Sequence, residues 1–248
     1  MNRNNLSVTS SIILINIIVF VVGLVSRQEA ILGIPVPGAD ISEPTLQVMG
    51  SYSWFTCFSE GELWRLVTYQ FLHANFGHIL FNMWALYFFG PALEHIMGPR
   101  KYLAYYLSCG VAGALFSSLL AGLNIYSSLP DTQQTFQYVN ALVQQFTDYS
   151  GVVYPWQMVP MIGASAAVYG VMVAMAFMFP YERISLLFPP VTMSMRTFAL
   201  IIIGIASLTI LFNLDNAGGE AGHLGGIIMG TIIMVIWKLR TLRRRNLY

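Results

Sequence analysis

Long apolar runs, separated by polar loops, dominate this chain. Six of them, at about 11–25, 76–97, 102–123, 161–179, 197–214 and 222–239, hold few charged residues. A helix needs about 20 mostly apolar residues to cross the hydrocarbon core of a bilayer. Six spanning helices are therefore predicted, several short enough that their ends must lie in protein or in thinned bilayer. Two loops exceed ordinary connection lengths and are candidates for function. The first, 27–75, mixes turn residues (Pro35, Pro37, Gly38) with aromatic-rich pieces such as SYSWFTCF and ELWRLVTYQFLH. Trp and Tyr concentrate at membrane interfaces, so this loop is expected to lie partly there. The second, 124–160, has no Lys or Arg, and its TFQYVNALVQQFTDY section suits a short amphipathic helix.

Composition agrees with the pattern. The 248 residues are 56% hydrophobic and 9% charged, with a mean hydropathy of +0.64. Soluble domains carry roughly 25% charged residues, so an ordinary water-soluble fold is excluded. The expected class is an all-α polytopic membrane protein. It forms a single domain over 1–248, with no low-complexity tract or obvious internal repeat to divide it. The net charge of +1 points to no nucleic-acid partner; the lipid bilayer is the expected surroundings.

The distribution of charge supplies an orientation. With six spans threaded and both termini inside, every Lys and Arg except Arg27 and Arg65 falls on one side. By the positive-inside rule that side is the cytoplasm. Loops 26–75, 124–160 and 215–221 then lie outside, with every acid except Glu94 and Glu182. The first run lacks a small-x-small cleavage site and contains Asn16, so a signal-anchor span in the cell membrane is expected. Cys57 in an outer loop and Cys109 inside the third span lie in different environments, which disfavours a disulfide between them.

Strongly polar groups inside the bilayer are costly and mark functional sites by default. His78 and Asn82, four residues apart in HILFN, share one face of the second span. Ser165 opens the fourth span and His223 the sixth. Glu94 and His95 sit near the inner end of the second span and suit end-anchoring. Ser165 lies fourteen residues before Phe179, and His223 fifteen before Lys238, at the inner ends of their helices. At about 1.5 Å per residue both stand roughly 21–23 Å above the inner boundary. In a core about 30 Å thick they share a level some 7–9 Å below the outer one.

Small-residue ridges let membrane helices approach closely. The sixth span carries Gly222, Gly226 and Gly230, and the fourth Ala166, Gly170 and Ala174, each ridge one residue from its helix's polar group. Their packing would bring Ser165 and His223 within hydrogen-bond reach. A serine beside a histidine is the minimum for nucleophilic acyl transfer. His78 and Asn82 can each offer an N–H to an oxyanion, and the Ser165 backbone N–H is free at a helix start. Hydrolysis inside a membrane also needs a polar cavity open to the outer side.

These residues resemble the rhomboid intramembrane serine proteases. The likeness runs from about 62 to 230 through ELWR at 62–65, HANFGHILFN at 73–82, GASAAVYG at 163–170 and GHLGGIIMG at 222–230. It implies a six-helix bundle with a short central fourth helix, and a Ser165–His223 dyad with no acidic third member. His78, Asn82 and the Ser165 backbone would form the oxyanion hole. Tyr169, one turn from Ser165, would pack against His223 and orient it. Gly163 would support the site, and Glu62 and Arg65 would brace the first loop. The resemblance further implies single-span membrane proteins as substrates, cut near the outer end of the span, and no metal or nucleotide cofactor. Rhomboids often have glycine after the nucleophile; Ala166 stands there, and its methyl is expected to crowd the cavity or the contact with the sixth span.

Each residue has a plainer reading. Ser165 alone suits helix packing, His223 alone a buried imidazole bonded to a carbonyl, and Asn82 alone an interhelical hydrogen bond. A shared depth, a shared side and the motif order favour catalysis for the set. A membrane metalloprotease would need spacing such as HExxH, which histidines 73, 78, 95 and 223 do not provide. A transporter would place acidic groups and broken repeat helices at mid-membrane. A non-catalytic relative that binds or escorts membrane proteins would keep the fold without needing the serine and histidine together. Asp215, eight residues before His223, is taken as the only nearby acid and as a loop residue capping the segment before the sixth span.

Overall fold

The structure, a computed structural model, describes residues 6–26, 45–126, 155–186 and 190–245. Helices dominate them. In chain order these are α1 (Val8–Ser26), α2 (Thr45–Gly50), a π-turn (Phe55–Ser59), α3 (Arg65–Thr68), a 3₁₀ turn (Tyr69–Phe71), α4 (Phe76–Met97), α5 (Pro99–Gly122), α6 (Pro155–Met158) and α7 (Ser165–Met178). A two-stranded hairpin follows, β1 (Arg183–Ser185) against β2 (Thr192–Ser194), with Arg183 opposite Ser194. Two helices, α8 (Met195–Leu211) and α9 (Ala217–Arg245), complete the order. The amphipathic section expected at 135–149, and Pro35, Pro37 and Gly38, lie outside the described residues.

Local signals explain the best-defined boundaries. Asn75 caps α4 by accepting the His78 backbone N–H at 2.9 Å. Gly98, at φ +79°, ends α4 in a conformation that favours glycine, and Pro99 occupies the first turn of α5, where its missing N–H costs nothing. Glu94 anchors an end, as expected, and its partner is α1. Its carboxylate accepts the backbone N–H groups of Val8 and Thr9, each at 2.8 Å, and the Thr9 hydroxyl at 2.7 Å. A carboxylate there both satisfies orphan donors and opposes the positive end of the helix dipole.

Other boundaries depart from the hydropathy pattern. The fourth run enters its helix only at Ser165, because Met161 is drawn into a backbone bridge with Tyr52: Tyr52 N–H donates to the Met161 carbonyl at 3.0 Å and Met161 N–H to that of Tyr52 at 2.6 Å. The sixth helix begins at Ala217, five residues ahead of the apolar run, so His223 lies in its second turn. Two described helices, Pro99–Gly122 and Ala217–Thr241, are long and apolar enough to cross a membrane. Val8–Leu24, Ser165–Met178 and Met195–Leu211 are shorter apolar helices.

The short α7 sits centrally, packed by α4, α5, α8 and α9. Its ridge meets that of α9. A Cβ placed on Gly226 would overlap the Ala166 carbonyl, and one on Gly230 would lie 3.2 Å from Gly170 Cα. α5 joins this contact through Gly113, whose absent side chain leaves room for the Ala166 methyl and the Gly222 carbonyl. Around this centre the core collects Leu86, Tyr102, Tyr105, Tyr106, Val168 and Val171, all nearly inaccessible. Outward faces are apolar instead of polar: Ile17, Ile18 and Val21 on α1, Phe81, Tyr87 and Phe88 on α4, and Leu200, Ile201 and Ile205 on α8 are all exposed. An apolar exterior of this extent suits hydrocarbon and not water.

Candidate active site

The segment leading into α7 is held from the first loop. Besides the Tyr52–Met161 bridge, Gly163 N–H donates to the Tyr69 carbonyl at 2.9 Å. Gly163 adopts φ +128°, which side-chain-bearing residues avoid. A Cβ there would lie 2.7 Å from His78 Nε2, so this glycine lets the imidazole stand against the backbone just before Ser165. Cys57 and Cys109 are both buried free thiols, Cys57 in the first loop and Cys109 against Gly170.

Ser165 is the first residue of α7, preceded by Ala164 with no side-chain cap. Its backbone N–H is therefore free of the helix ladder. Ser165, His78 and His223 line one cavity of about 540 Å³, which also reaches Ser117, Tyr126 and Asp215. The α7–α9 packing puts Ser165 and His223 on one cavity wall, but not in the hydrogen bond the ridges implied: Ser165 Oγ has no hydrogen-bond partner among the described residues. His78 receives a long backbone N–H contact from Ala74 at its Nδ1, 3.5 Å, which favours the proton on Nε2, the nitrogen facing Gly163. Asn82, one turn along α4, is not among the lining residues; it is buried, and its Nδ2 has no hydrogen-bond partner among the described residues.

Tyr169 lies one turn after Ser165, and its ring stacks on His223 with centroids 4.1 Å apart and 10° from parallel. A second restraint holds His223. Glu220 Oε2 stands 2.9 Å from His223 Nδ1. Asp215, taken from the sequence as the only nearby acid, is thus not the acid that meets the imidazole. The signal was present: in EAGH the two residues are three apart, which puts them on one helix face. Residues 217–221, AGGEA, continue no apolar run, so hydropathy alone places them in a loop.

Glu62 and Arg65 stay outside the cavity lining and form an ion pair, while Arg65 Nη1 donates to the Ser51 carbonyl at 2.8 Å. Both contacts lie within the same loop as Tyr52 and Tyr69, whose backbones bond residues 161 and 163. Ala166 is almost fully buried, and its methyl turns to α5 at Gly113; the contact with α9 is made by its backbone. Crowding of the α9 contact by that methyl is therefore corrected: Gly113 accommodates it. Among the described residues no group of three or more His, Cys, Asp or Glu side chains could hold a metal ion.

Comparison with known proteins places this arrangement. The chain is 28% identical to the rhomboid protease AarA of Providencia stuartii, over 94% of this chain and 73% of that protein. It is 26% identical to the rhomboid protease GluP of Bacillus subtilis (strain 168), over 78% of this chain but only 29% of GluP. A shorter stretch, 32% of the chain, is 35% identical to 22% of the Inactive RHOMBOID-like protein 8 of Arabidopsis thaliana. The chain thus spans less than a third of the length of some relatives it matches. A Rhomboid domain is matched over residues 60–240, which takes in the first-loop brace, α4, α7 and all of α9 up to Arg240. With the cavity, the stacked imidazole and the glycine contacts all inside that match, the chain belongs to the rhomboid family.

Proposed function

We propose that this protein is an intramembrane serine endopeptidase that cleaves single-span membrane proteins with a Ser165–His223 dyad. The observation that carries the reading is the parallel stack of Tyr169 on His223 at the wall of a cavity shared by Ser165 and His78. Ser165 Oγ attacks the scissile carbonyl as His223 takes its proton, and the same proton then goes to the leaving amine. The Ser165 backbone N–H and His78 Nε2–H supply donors to the oxyanion, and Asn82, one turn along from His78, adds its amide once the side chain turns to the cavity; a buried amide left unpaired is costly to keep without a use. Relatives named as rhomboid proteases support the activity.

The six apolar runs are spans of one membrane domain over 1–248, in the cell membrane with both termini cytoplasmic. The cavity then opens to the outer side, and cleavage falls near the outer end of the substrate helix, after a small residue. The chemistry calls for no metal or nucleotide. A second reading, a non-catalytic protein that binds or escorts membrane proteins, is favoured by the stretch shared with the inactive plant relative. A fluorophosphonate probe separates the two. It should label the wild-type chain and not Ser165→Ala, and cleavage of a model single-span substrate in detergent should vanish in Ser165→Ala and His223→Ala. Cleavage that survives both substitutions would sink the dyad.

A further inference from the structure

We infer that Glu220 is a positioning residue for the proposed dyad, holding the His223 imidazole by Nδ1 and stabilising its protonated form while Ser165 attacks. The inference rests on the protease reading and adds to it an acid that the dyad alone lacks.

Two contacts define a plane and a rotation. Tyr169 fixes the face of the imidazole, and Glu220, 2.9 Å from Nδ1, fixes the rotation of the ring within that plane. A carboxylate only accepts, so Nδ1 must be the protonated nitrogen and Nε2 the free base. That leaves Nε2 as the nitrogen available to Ser165. Both side chains are largely buried, 12% and 16% exposed, where a charge-assisted hydrogen bond is screened little.

The local structure delivers the carboxylate to this position. Asn216, at φ +66°, turns the chain into α9, and its carbonyl accepts the Glu220 N–H at 3.0 Å. The Asn216 side chain folds back over Gly219, where a Cβ would meet its amide. Glu220 then stands in the first turn of α9, where the helix dipole favours an anion. Three residues on, His223 shares its face.

The step balances without further reactants. The Ser165 O–H bond breaks as Oγ bonds the carbonyl carbon, the carbonyl electron pair moves to oxygen, and the proton goes to His223 Nε2. Nδ1–H stays with the imidazole throughout, and Glu220 receives no proton; it faces an imidazolium for the lifetime of the tetrahedral intermediate. Collapse breaks the C–N bond, Nε2 gives its proton to the leaving amine, and His223 returns to neutral.

Two measurements on the full chain test this. In chain labelled with ¹⁵N-histidine, with the His223 signal assigned by its loss in His223→Gln, the nitrogen shifts should report the Nδ1–H tautomer. Glu220→Ala should move population to Nε2–H. An unchanged tautomer overturns the proposal, whether or not the chain proves to be a protease. On a single-span substrate, kcat should fall about tenfold in Glu220→Gln, which keeps an acceptor but no charge, and about a hundredfold in Glu220→Ala. KM and Tm should stay close to wild type in the Gln variant, unlike the effect of general damage. Wild-type kcat in both variants overturns the proposal. A wild-type chain without Ser165-dependent cleavage overturns the protease reading instead, and the tautomer still decides the contact.

Discussion

The rings of Tyr169 and His223 lie nearly parallel at a 4.1 Å centroid separation, joining the short central helix to α9 beside Ser165. The stack needs an aromatic face and not the phenol. Tyr169→Phe should leave cleavage near wild type, whereas Tyr169→Ala should lower kcat about tenfold, the scale of an aromatic pair worth roughly 1 kcal/mol or somewhat more. Equal kcat in the two variants would show that the ring does not orient the base.

Gly163 is expected to be intolerant for a geometric reason. Its φ of +128° strains any side chain, and a methyl would meet His78 Nε2 at 2.7 Å. Displacing a catalytic group by about 1 Å can cost a hundredfold in rate. Gly163→Ala should therefore cost at least about that in kcat/KM, and probe labelling of Ser165 should slow with it. Labelling at the wild-type rate would remove His78 from the oxyanion site.

At the α7–α9 contact the two ridge positions should behave oppositely. Gly226→Ala forces a methyl into the Ala166 carbonyl, and overpacking of this kind costs roughly 1–3 kcal/mol, visible as a lower Tm in detergent. Ala166→Gly removes a methyl that Gly113 already accommodates, so kcat should change by less than about threefold. A large rate gain in Ala166→Gly would show that the methyl does obstruct the cavity.

Acid should destabilise the first loop through His73. Burial, reinforced by the neighbouring His78, pushes the His73 pKa from 6.5 down to about 3. The folded chain keeps this imidazole neutral while the unfolded chain protonates it, so stability is full above pH 6.5 and is lost as pH falls below it. Between pH 7 and 5 this single group should cost roughly 2 kcal/mol. His73→Phe should flatten that part of the Tm-versus-pH curve; an unaltered slope would assign it to other groups.

How far the sequence could be read depended on whether its signals were local. Asn75, Gly98 and Pro99 are neighbours in sequence of what they cap, and α4 was expected at 76–97, where it is found. The four-residue spacing of Gly226 and Gly230 likewise implied a close contact with α7, and the contact is there. Hydropathy misplaced the starts of α7 and α9 for opposite reasons. Met161 and Ile162 are apolar but belong to an extended segment paired with Tyr52, a partner more than a hundred residues away. Residues 217–221, Glu220 among them, are polar enough to pass for loop yet are helical. Gly113 begins a four-residue series of small residues on α5, Gly113, Ser117 and Ala121, but nothing in the sequence pairs that series with Ala166.

The first loop is tied into the protein's interior by its backbone. Tyr52 and Tyr69 hold residues 161 and 163 through three main-chain hydrogen bonds, and Arg65 holds Ser51. Ser165 follows two residues later with no slack between. The first loop and the serine therefore form one mechanical unit, so a force on the loop reaches the serine hydroxyl as a displacement.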